Sequence, residues 1–104
     1  MLKVYVIGSR RRAALMDRIV KRLEGGPFEV SRVREDPERI PELAAGDRFD
    51  EAERADVIIA AKGRRGDYGW ETLYLMEHAR RAGKKILMTD GRDLDSIYDY
   101  LLIY

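Results

Sequence analysis

Apolar and polar residues follow one another along the chain in blocks that predict strands and helices in alternation. Residues 2–7 form a short apolar run with β-branched and aromatic side chains, closed by Gly8 and Ser9, and this run predicts a buried strand. Across residues 11–24, apolar side chains recur at helical spacing, and the glycine-rich stretch 25–27 ends the pattern. The chain therefore begins with a strand followed by a helix.

The next part of the chain is more polar. In residues 28–33 apolar and polar side chains alternate, which indicates a half-exposed edge strand rather than a central one. Residues 34–47 are charged and contain two prolines, so they predict a loop with at most a short helix at 38–45. Residues 48–55 carry few apolar side chains and predict a further short helix.

The most hydrophobic stretch of the chain, Val57–Ala61, predicts a central strand that is buried on both faces. A loop of glycine and basic residues follows at 62–66. An amphipathic helix is then expected at about 69–82, and a further strand at 85–88. The strand and helix pattern of the first half thus repeats in the second half.

The end of the chain predicts a turn, a helix and a strand. Asp90 and Gly91 form the turn, Asp93 can cap a short helix that runs to about Tyr100, and residues 101–103 can add a last strand. Strands that alternate with helices imply right-handed crossovers and a parallel sheet with helices on both faces. We therefore predict a three-layer α/β fold, flavodoxin-like or Rossmann-like, with about five strands in the order 2-1-3-4-5.

Length and composition limit the chemistry that the chain can perform. Its 104 residues, 45% of them hydrophobic, predict one domain over residues 1–104. Because there is no cysteine and His78 is the only histidine, disulfides and thiol nucleophiles are excluded, and zinc sites or histidine-based triads are not expected. We predict no metal and no cofactor. Carboxylates, hydroxyls and arginines must carry any reaction.

Charge gives a prediction about partners and location. Twenty basic against 19 acidic residues leave a net charge of +1, which does not favour binding to nucleic acid or to an anionic membrane. No apolar run reaches the roughly 20 residues of a membrane span, and no signal peptide is evident, so a cytoplasmic protein is expected. A charged fraction of 38% without any asparagine, glutamine or cysteine indicates a thermophile's protein.

The turn after the first strand is a candidate anion site. Gly8 permits close backbone approach, Ser9 can cap the helix that follows, and Arg10, Arg11 and Arg12 offer guanidinium groups that match a phosphate. The alternative is an ordinary helix cap followed by arginines that face solvent. No glycine-rich dinucleotide motif and no Gly-Lys-Ser/Thr phosphate loop is present.

A second candidate site lies at the start of the helix after the central strand. Glu71 falls in its first turn, at the edge of the sheet where ligands bind in open α/β folds, and Asp67 precedes it by four residues. Two carboxylates are what glycosidic bond cleavage needs. The alternative is that the helix dipole alone favours an acidic residue there.

Aromatic residues near these two positions have competing interpretations. Tyr5 lies inside the first strand and belongs to the core unless its hydroxyl reaches the binding crevice. Trp70, Leu73 and Tyr74 form an apolar strip that can stack on a base or, more commonly, bury a partner subunit. His78 is interpreted as a structural or surface residue.

Three segments of the chain resemble the nucleoside 2-deoxyribosyltransferase family, and within it the small branch that hydrolyses 2′-deoxynucleoside 5′-monophosphates. The matching segments occur in the family's order and cover most of the chain. They are Val4-Tyr5-Val6-Ile7-Gly8-Ser9-Arg10, Ala55-Asp56-Val57-Ile58-Ile59-Ala60, and Gly69-Trp70-Glu71 before a helix ending Ala82-Gly83-Lys84-Lys85-Ile86-Leu87.

The resemblance implies roles for the candidate residues. Glu71 would attack C1′ of the sugar and form a glycosyl-enzyme ester, so that the configuration is retained, and Tyr5 would orient that carboxylate. Gly8, Ser9 and Arg10 would hold the sugar or its 5′-phosphate. The predicted catalytic residues are Glu71, Tyr5 and Asp67, and the predicted substrate- or phosphate-binding residues are Gly8, Ser9, Arg10, Arg11, Gly69 and Trp70.

Two departures from the family pattern refine these expectations. The family's further aspartate, before the Asp56 equivalent, is replaced by Arg48, so the acid that protonates the leaving base is unassigned. The chain also lacks the asparagine that the transferase branch uses near its C-terminus, which makes hydrolysis a better prediction than transfer between bases. The family's habit of forming dimers predicts a homodimer or a higher homo-oligomer.

The leading hypothesis is a metal-free N-glycosidic hydrolase or transferase that acts on a (deoxy)nucleoside or its 5′-monophosphate through Glu71. The alternative is a non-catalytic nucleotide-binding or oligomerisation module on the same fold. A third hypothesis is contact with nucleic acid through the arginines at 10–12, 64–65 and 80–81, and the balanced net charge argues against it.

Overall fold

The computed structural model of the protein is built on a parallel sheet of four strands in the order β2-β1-β3-β4. It describes residues 1–34 and 41–104, and for 41–46 only the backbone. The strands are β1 (Leu2–Ile7), β2 (Phe28–Arg32), β3 (Val57–Ala61) and β4 (Lys85–Thr89). All four were predicted from the hydrophobic pattern, and the place of β2 at the edge of the sheet is confirmed.

Helices cover both faces of this sheet. They are α1 (Ala13–Glu24), which a 3-10 turn (Arg10–Arg12) precedes, α2 (Pro41–Arg54), α3 (Trp70–Arg81) and α4 (Leu94–Ile103). Helices α1 and α4 pack against each other, as do α2 and α3. The predicted three-layer α/β fold is therefore confirmed. Within the described residues, no helix is long and apolar enough to cross a membrane.

The centre of the core is the pair β1 and β3. Val4 of β1 lies opposite Val57 of β3, and the register continues to Ile7 opposite Ala60. Every residue of β3 is buried, as its unbroken apolar sequence predicted. The carboxyl ends of β1 and β3 therefore meet at one edge of the sheet.

Arg22 ties α1 to α4 on one face of the sheet. Its guanidinium forms an ion pair with Asp95 at 2.8 Å and lies over the ring of Tyr98, 4.3 Å from the centroid. The Tyr98 ring in turn meets Phe28 of β2 edge to face, with the centroids 5.4 Å apart. These contacts fix the last helix across the end of the first one.

The prediction of a last strand at 101–103 is wrong, because these residues form the final turn of α4. Ile97 and Leu101 are buried one turn apart, and Leu94 and Tyr98 pack beside them. Helical spacing that begins at Leu94 thus continues through the apolar run and outweighs its tendency to form a strand. The described part of the sheet accordingly has four strands instead of about five.

The prediction of separate short helices at 38–45 and 48–55 is also wrong in part, since residues 41–54 form the single helix α2. Proline is compatible with the first position of a helix, where its missing N–H is not needed, and Pro41 occupies that position. The part of the prediction that concerns residues 35–40 lies outside the described residues.

Gly8, at the end of β1, allows a close approach between this strand, β3 and α1. A Cβ atom at this position would lie 3.0 Å from the Cβ of Ala61 and 3.2 Å from Sδ of Met16. Both neighbours are buried, so there is little space into which they can move. A side chain larger than hydrogen would push the turn after β1 away from β3.

We expect Gly8→Val to lower the free energy of unfolding by about 1–3 kcal/mol, because it overpacks this contact. Urea unfolding followed by circular dichroism measures the change. Gly25→Val is the matched control, since nothing lies within 4 Å of a Cβ at Gly25. Equal stability of the two variants would contradict the close approach.

Candidate functional site

A cavity of about 540 Å³ opens at the carboxyl ends of β1 and β3. In this strand order, the direction in which successive strands are added to the sheet reverses between β1 and β3. Ligands of open α/β sheets bind at such a point. The cavity is of the size that small-molecule sites have. Its lining residues are Gly8, Ser9, Arg10, Ala13, Met16, Arg32, Val33, Arg34, Arg48, Gly69, Trp70, Glu71 and Thr72.

The turn after β1 and the start of α3 lie side by side in this cavity. A Cβ atom at Gly69 would lie 3.7 Å from the Cβ of Ser9. Gly69 has extended backbone angles and precedes the first turn of α3, so backbone N–H groups of that turn lack helical partners. The Ser9 side chain makes no capping hydrogen bond. Helix capping therefore does not account for Ser9.

The Glu71 carboxylate forms an ion pair with an arginine from another helix. Nη1 of Arg48, in α2, donates a hydrogen bond of 2.9 Å to Oε2 of Glu71. The Glu71 side chain is 60% exposed, whereas that of Arg48 is 20% exposed. The ion pair is thus open to the cavity and is not enclosed in the core. Exposed ion pairs contribute little to the free energy of folding. We therefore interpret Arg48 as a residue that orients the Glu71 carboxylate and not as one that stabilises the fold.

A second contact between α2 and α3 fixes the position of this pair. Nε2 of His78 lies 2.8 Å from Oε1 of Glu53, and the His78 ring stacks at a tilt on Phe49, with the centroids 4.8 Å apart. Phe49 directly follows Arg48 in the chain. These contacts agree with the interpretation of His78 as a structural residue. They hold α2 in the position from which Arg48 reaches Glu71.

Two further arginines that the sequence analysis missed line the cavity from the end of β2. Arg32 is oriented by Asp17, with Nε and Oδ1 2.8 Å apart but not aligned for a hydrogen bond, and by the carbonyl of Val33, which its Nη1 reaches at 3.1 Å. Arg34 follows two residues later and is exposed. The signal in the sequence was their place at the carboxyl end of the second strand, which borders the same crevice.

The described lining of the cavity is strongly positive. It contains the guanidinium groups of Arg10, Arg32, Arg34 and Arg48 and one carboxylate, that of Glu71. Such a surface attracts an anion, and arginine binds phosphate through paired N–H groups. The arginines at the far end of α3, Arg80 and Arg81, both pair with Glu77 and do not join this surface.

Asp67 and Arg11, which were predicted as site residues, do not line the cavity. The carbonyl of Asp67 accepts a hydrogen bond of 2.8 Å from the Gly63 N–H, which closes the loop after β3. The Asp67 carboxylate packs against Gly63, since a Cβ atom built on Gly63 would lie 2.5 Å from Oδ1 of Asp67. Arg11 is exposed, and the next arginine, Arg12, donates from Nε to the carbonyl of Lys62 at 2.8 Å.

Tyr5 also lies outside the cavity that contains Glu71. It is 4% exposed and borders a second cavity of about 210 Å³ between β1, β2 and α2. Burial raises the pKa of Tyr5 to about 12, and the nearby charges of Arg48 and Glu51 have smaller, opposing effects. Among the described contacts, Arg48 and not Tyr5 touches the Glu71 carboxylate.

We expect the Tyr5→Phe variant to lose less unfolding free energy than the wild type when the pH rises into the alkaline range. The pKa of Tyr5 is raised from 10.0 to about 12, so between these values the folded protein holds more protons than the unfolded chain, and stability falls as pH rises. Between pH 10.0 and about 12, the wild type should lose on the order of 2 kcal/mol of unfolding free energy, and the variant should retain this amount. Urea unfolding across the window measures this loss.

Tyr74→Phe is the matched control for this prediction, because the Tyr74 ring is 64% exposed. It should follow the wild-type pH profile. Parallel profiles for the wild type and Tyr5→Phe would contradict the effect of burial on the Tyr5 hydroxyl.

The described residues contain no cluster of three or more histidine or carboxylate side chains placed to hold a metal ion. In this part of the chain the cavity offers arginines, one serine hydroxyl, one carboxylate and backbone N–H groups. These groups can bind an anion and attack an electrophilic carbon.

Comparisons with known proteins agree with the fold. No protein-family model and no curated protein sequence matches the chain. Among solved structures, the CMP N-glycosidase BcmB of Clostridium botulinum is similar, with a TM-score of 0.65 and 18% identity, over 98% of this chain and 99% of that chain. The fold expected from the sequence resemblance is therefore confirmed over nearly the whole chain.

Proposed function

We propose that this protein is an N-glycosidase that cleaves the bond between base and sugar in a nucleoside 5′-monophosphate. The observation that carries the proposal is that Glu71 and the turn Gly8-Ser9-Arg10 line one cavity. A nucleophile and an anion site that open into the same space can act on one small molecule. The solved structure that shares the fold is described as a CMP N-glycosidase, which supports a nucleotide as substrate.

The 5′-phosphate is assigned to the positive side of the cavity. Ser9 offers a hydroxyl without a capping role, and Arg10 and Arg34 bring positive charge from the two adjacent strand ends. The first turn of α3 adds N–H groups that favour an anion. These features support a phosphorylated substrate over a free nucleoside.

The base is assigned to the side of Trp70. Trp70 is 69% exposed and lines the cavity, and its ring meets that of Tyr74 edge to face, with the centroids 5.7 Å apart. An exposed indole next to a carboxylate and an anion site can stack on a nucleobase. In this arrangement the sugar lies between Trp70 and the arginines, over Glu71.

The proposed reaction begins with attack of a Glu71 carboxylate oxygen on C1′. The bond from C1′ to the base nitrogen breaks, its electron pair leaves with the base, and the base takes a proton from solvent. Water then attacks C1′ of the glycosyl ester, loses a proton to solvent and releases the carboxylate, so that two inversions give net retention. Arg48 holds Oε2 of Glu71, which leaves Oε1 to attack.

Hydrolysis is proposed rather than transfer to a second base. The chain has no asparagine for the role that this residue has in the transferase branch of the resembling family. The Glu71 side chain is largely exposed, so water reaches the ester. Asp67 is not proposed as the acid that protonates the base, because it does not line the cavity.

The proposal is tested by incubating the protein with each ribo- and deoxyribonucleoside and its 5′-monophosphate and measuring free base by chromatography. Base should appear from one or more monophosphates and much more slowly from the matching nucleoside. Faster release from nucleosides would contradict the phosphate assignment. Proton NMR of the first sugar phosphate formed tests retention at C1′.

A non-catalytic nucleotide-binding module is the second candidate. The position of Arg48 on the Glu71 carboxylate favours it, because an ion-paired carboxylate is a weaker nucleophile. In that case no base is released, while a monophosphate still raises the melting temperature by binding the folded state. The same assay, with thermal unfolding added, distinguishes the two functions.

A further inference from the structure

The loops at the carboxyl edge of the sheet concentrate positive charge. Residues 8–12, 62–69 and 90–93, which follow β1, β3 and β4, contain seven basic and three acidic residues. This set of loops, the basic edge, therefore carries a charge of +4, whereas the whole chain carries +1. The balanced composition of the chain hides this uneven distribution, so its argument against an anionic partner does not hold for the basic edge.

Hydrogen bonds hold these loops side by side. Nε of Arg12 donates a bond of 2.8 Å to the carbonyl of Lys62, at the start of the loop after β3. The N–H of Lys62 in turn donates to the carbonyl of Thr89, the last residue of β4, at 2.8 Å. The basic edge is therefore one continuous surface from the end of β1 to the end of β4. Because adjacent strands lie about 4.8 Å apart, it is on the order of 10 Å wide.

The loop after β3 holds two arginines at its tip. The N–H of Gly66 donates to the carbonyl of Gly63 at 2.9 Å, and the N–H of Gly63 donates to the carbonyl of Asp67 at 2.8 Å. Gly66 has a φ of 77°, which glycine adopts without strain. Arg64 and Arg65 are the central residues of this closed turn, and both are exposed. The turn thus presents two adjacent guanidinium groups to solvent.

Ion pairing distinguishes these arginines from those outside the basic edge. The arginines outside it that pair with a carboxylate are Arg22, Arg32, Arg48, Arg54, Arg80 and Arg81. Among the described residues, no carboxylate forms an ion pair with Arg11, Arg64 or Arg65. Arg92 is the exception on the basic edge, since it lies 3.7 Å from Asp90. Three exposed guanidinium groups therefore remain for an anionic partner.

We propose that the basic edge binds a single strand of nucleic acid. The loops after β1 and β3 contact successive phosphates of the strand. Tyr74, which lies one turn into α3, is 64% exposed and outside the cavity, and its ring stacks on an unpaired base. A positively charged track beside exposed aromatic side chains is how proteins bind single strands without sequence preference.

The extent of the basic edge and the aromatic ring favour this partner over other anions. A single phosphate is matched by one or two guanidinium groups, and the cavity already provides these. The basic edge adds charge in two further loops, which suits an anion with several phosphates in a row. An acidic peptide or an anionic membrane matches the charge but has no base to stack on Tyr74.

The surface is tested by fluorescence anisotropy with a labelled oligodeoxythymidylate of about 12 nucleotides, within the site sizes of single-strand binders. Contact with about four phosphates predicts that the logarithm of the association constant falls with the logarithm of the salt concentration with a slope of about −3. Arg64→Gln combined with Arg65→Gln should weaken binding by about tenfold or more at about 50 mM salt. It should also make the slope shallower by about 1.4, since two phosphate contacts are lost.

Arg80→Gln combined with Arg81→Gln is the matched control, because it removes two adjacent arginines that pair with Glu77 away from the basic edge. Its affinity should stay within about twofold of the wild type. Tyr74→Ala should weaken binding by about fivefold or more and leave the slope unchanged, because stacking involves no charge. Thermal unfolding checks that each variant is folded.

Several results would overturn the proposal. They are no binding at the lowest salt concentration, an equal loss in the two double variants, and tighter binding to a duplex of the same length, whose bases are not free to stack. A nucleoside triphosphate that displaces the strand at equal phosphate concentration would overturn it too, and would assign the basic edge to a small polyphosphate. Arg64, Arg65 and Tyr74 do not line the cavity, and anisotropy needs no turnover, so failure here leaves the glycosidase proposal intact.

Discussion

Glu71→Gln should reduce the rate of base release from the preferred nucleoside 5′-monophosphate by about 10³-fold or more. The amide has nearly the shape of the carboxylate but lacks the charge that attacks C1′ and that the glycosyl ester must regenerate. Because the Glu71 side chain is 60% exposed, the fold should not depend on its charge. Free base measured by chromatography gives the rate, and thermal unfolding should show a melting temperature close to that of the wild type.

Glu77→Gln is the matched control for this variant. Glu77 lies on the same helix, and its carboxylate is engaged by Arg80 and Arg81 away from the cavity. The control should keep wild-type activity. If Glu71→Gln also keeps it, or if both variants lose it together, Glu71 is not the nucleophile.

Arg48→Met should lower kcat by about 10- to 100-fold and change KM much less. The variant loses the hydrogen bond of 2.9 Å by which the Arg48 guanidinium holds the Glu71 carboxylate in one orientation. Without this bond the carboxylate samples other rotamers, and fewer of its orientations direct Oε1 at C1′. Steady-state kinetics with the preferred monophosphate separates the two constants.

Arg54→Met, on the same helix, is the control for this change. Arg54 is 63% exposed, pairs with Glu51 of its own helix, and does not line the cavity of Glu71. Its kcat should equal that of the wild type. A rise in kcat on removing Arg48 would contradict this role and show that the arginine restrains the nucleophile. An equal loss of kcat in the Arg48 and Arg54 variants would show that both changes act by destabilising α2.

The four strands could be predicted because three of them are short apolar runs and β2 alternates apolar with polar side chains, and both patterns depend on local sequence. The last turn of α4 could not be predicted in this way, because residues 101–103 are all apolar and, taken alone, fit a buried strand equally well. Only their helical phase with Ile97, which a tertiary contact buries, decides between the two. The helix Pro41–Arg54 was predicted only as two short pieces, because the charged, proline-containing segment 34–47 was interpreted as a loop with at most a short helix.

The candidate site could be predicted in part for a topological reason. Strand order brings the carboxyl ends of β1 and β3 together, and Ser9 and Glu71, which follow these two ends in the chain, line one cavity. The contact of Arg48 with Glu71 could not be predicted, because it depends on how α2 packs on α3. The position of Asp67 also depends on packing that the sequence does not show. It lies four positions before Glu71, but the loop between β3 and α3 folds back and points the Asp67 carboxylate at Gly63.

The exposure of Glu71 has a consequence for trapping experiments. In the proposed reaction the ester at this residue is reached by bulk solvent as soon as the base departs. Under turnover it should therefore decay faster than it accumulates, and intact-protein mass spectrometry of the natural reaction should show unmodified chain. A sugar bearing fluorine beside the anomeric carbon, which slows the second step through its electron withdrawal, is the reagent to use for capturing the adduct.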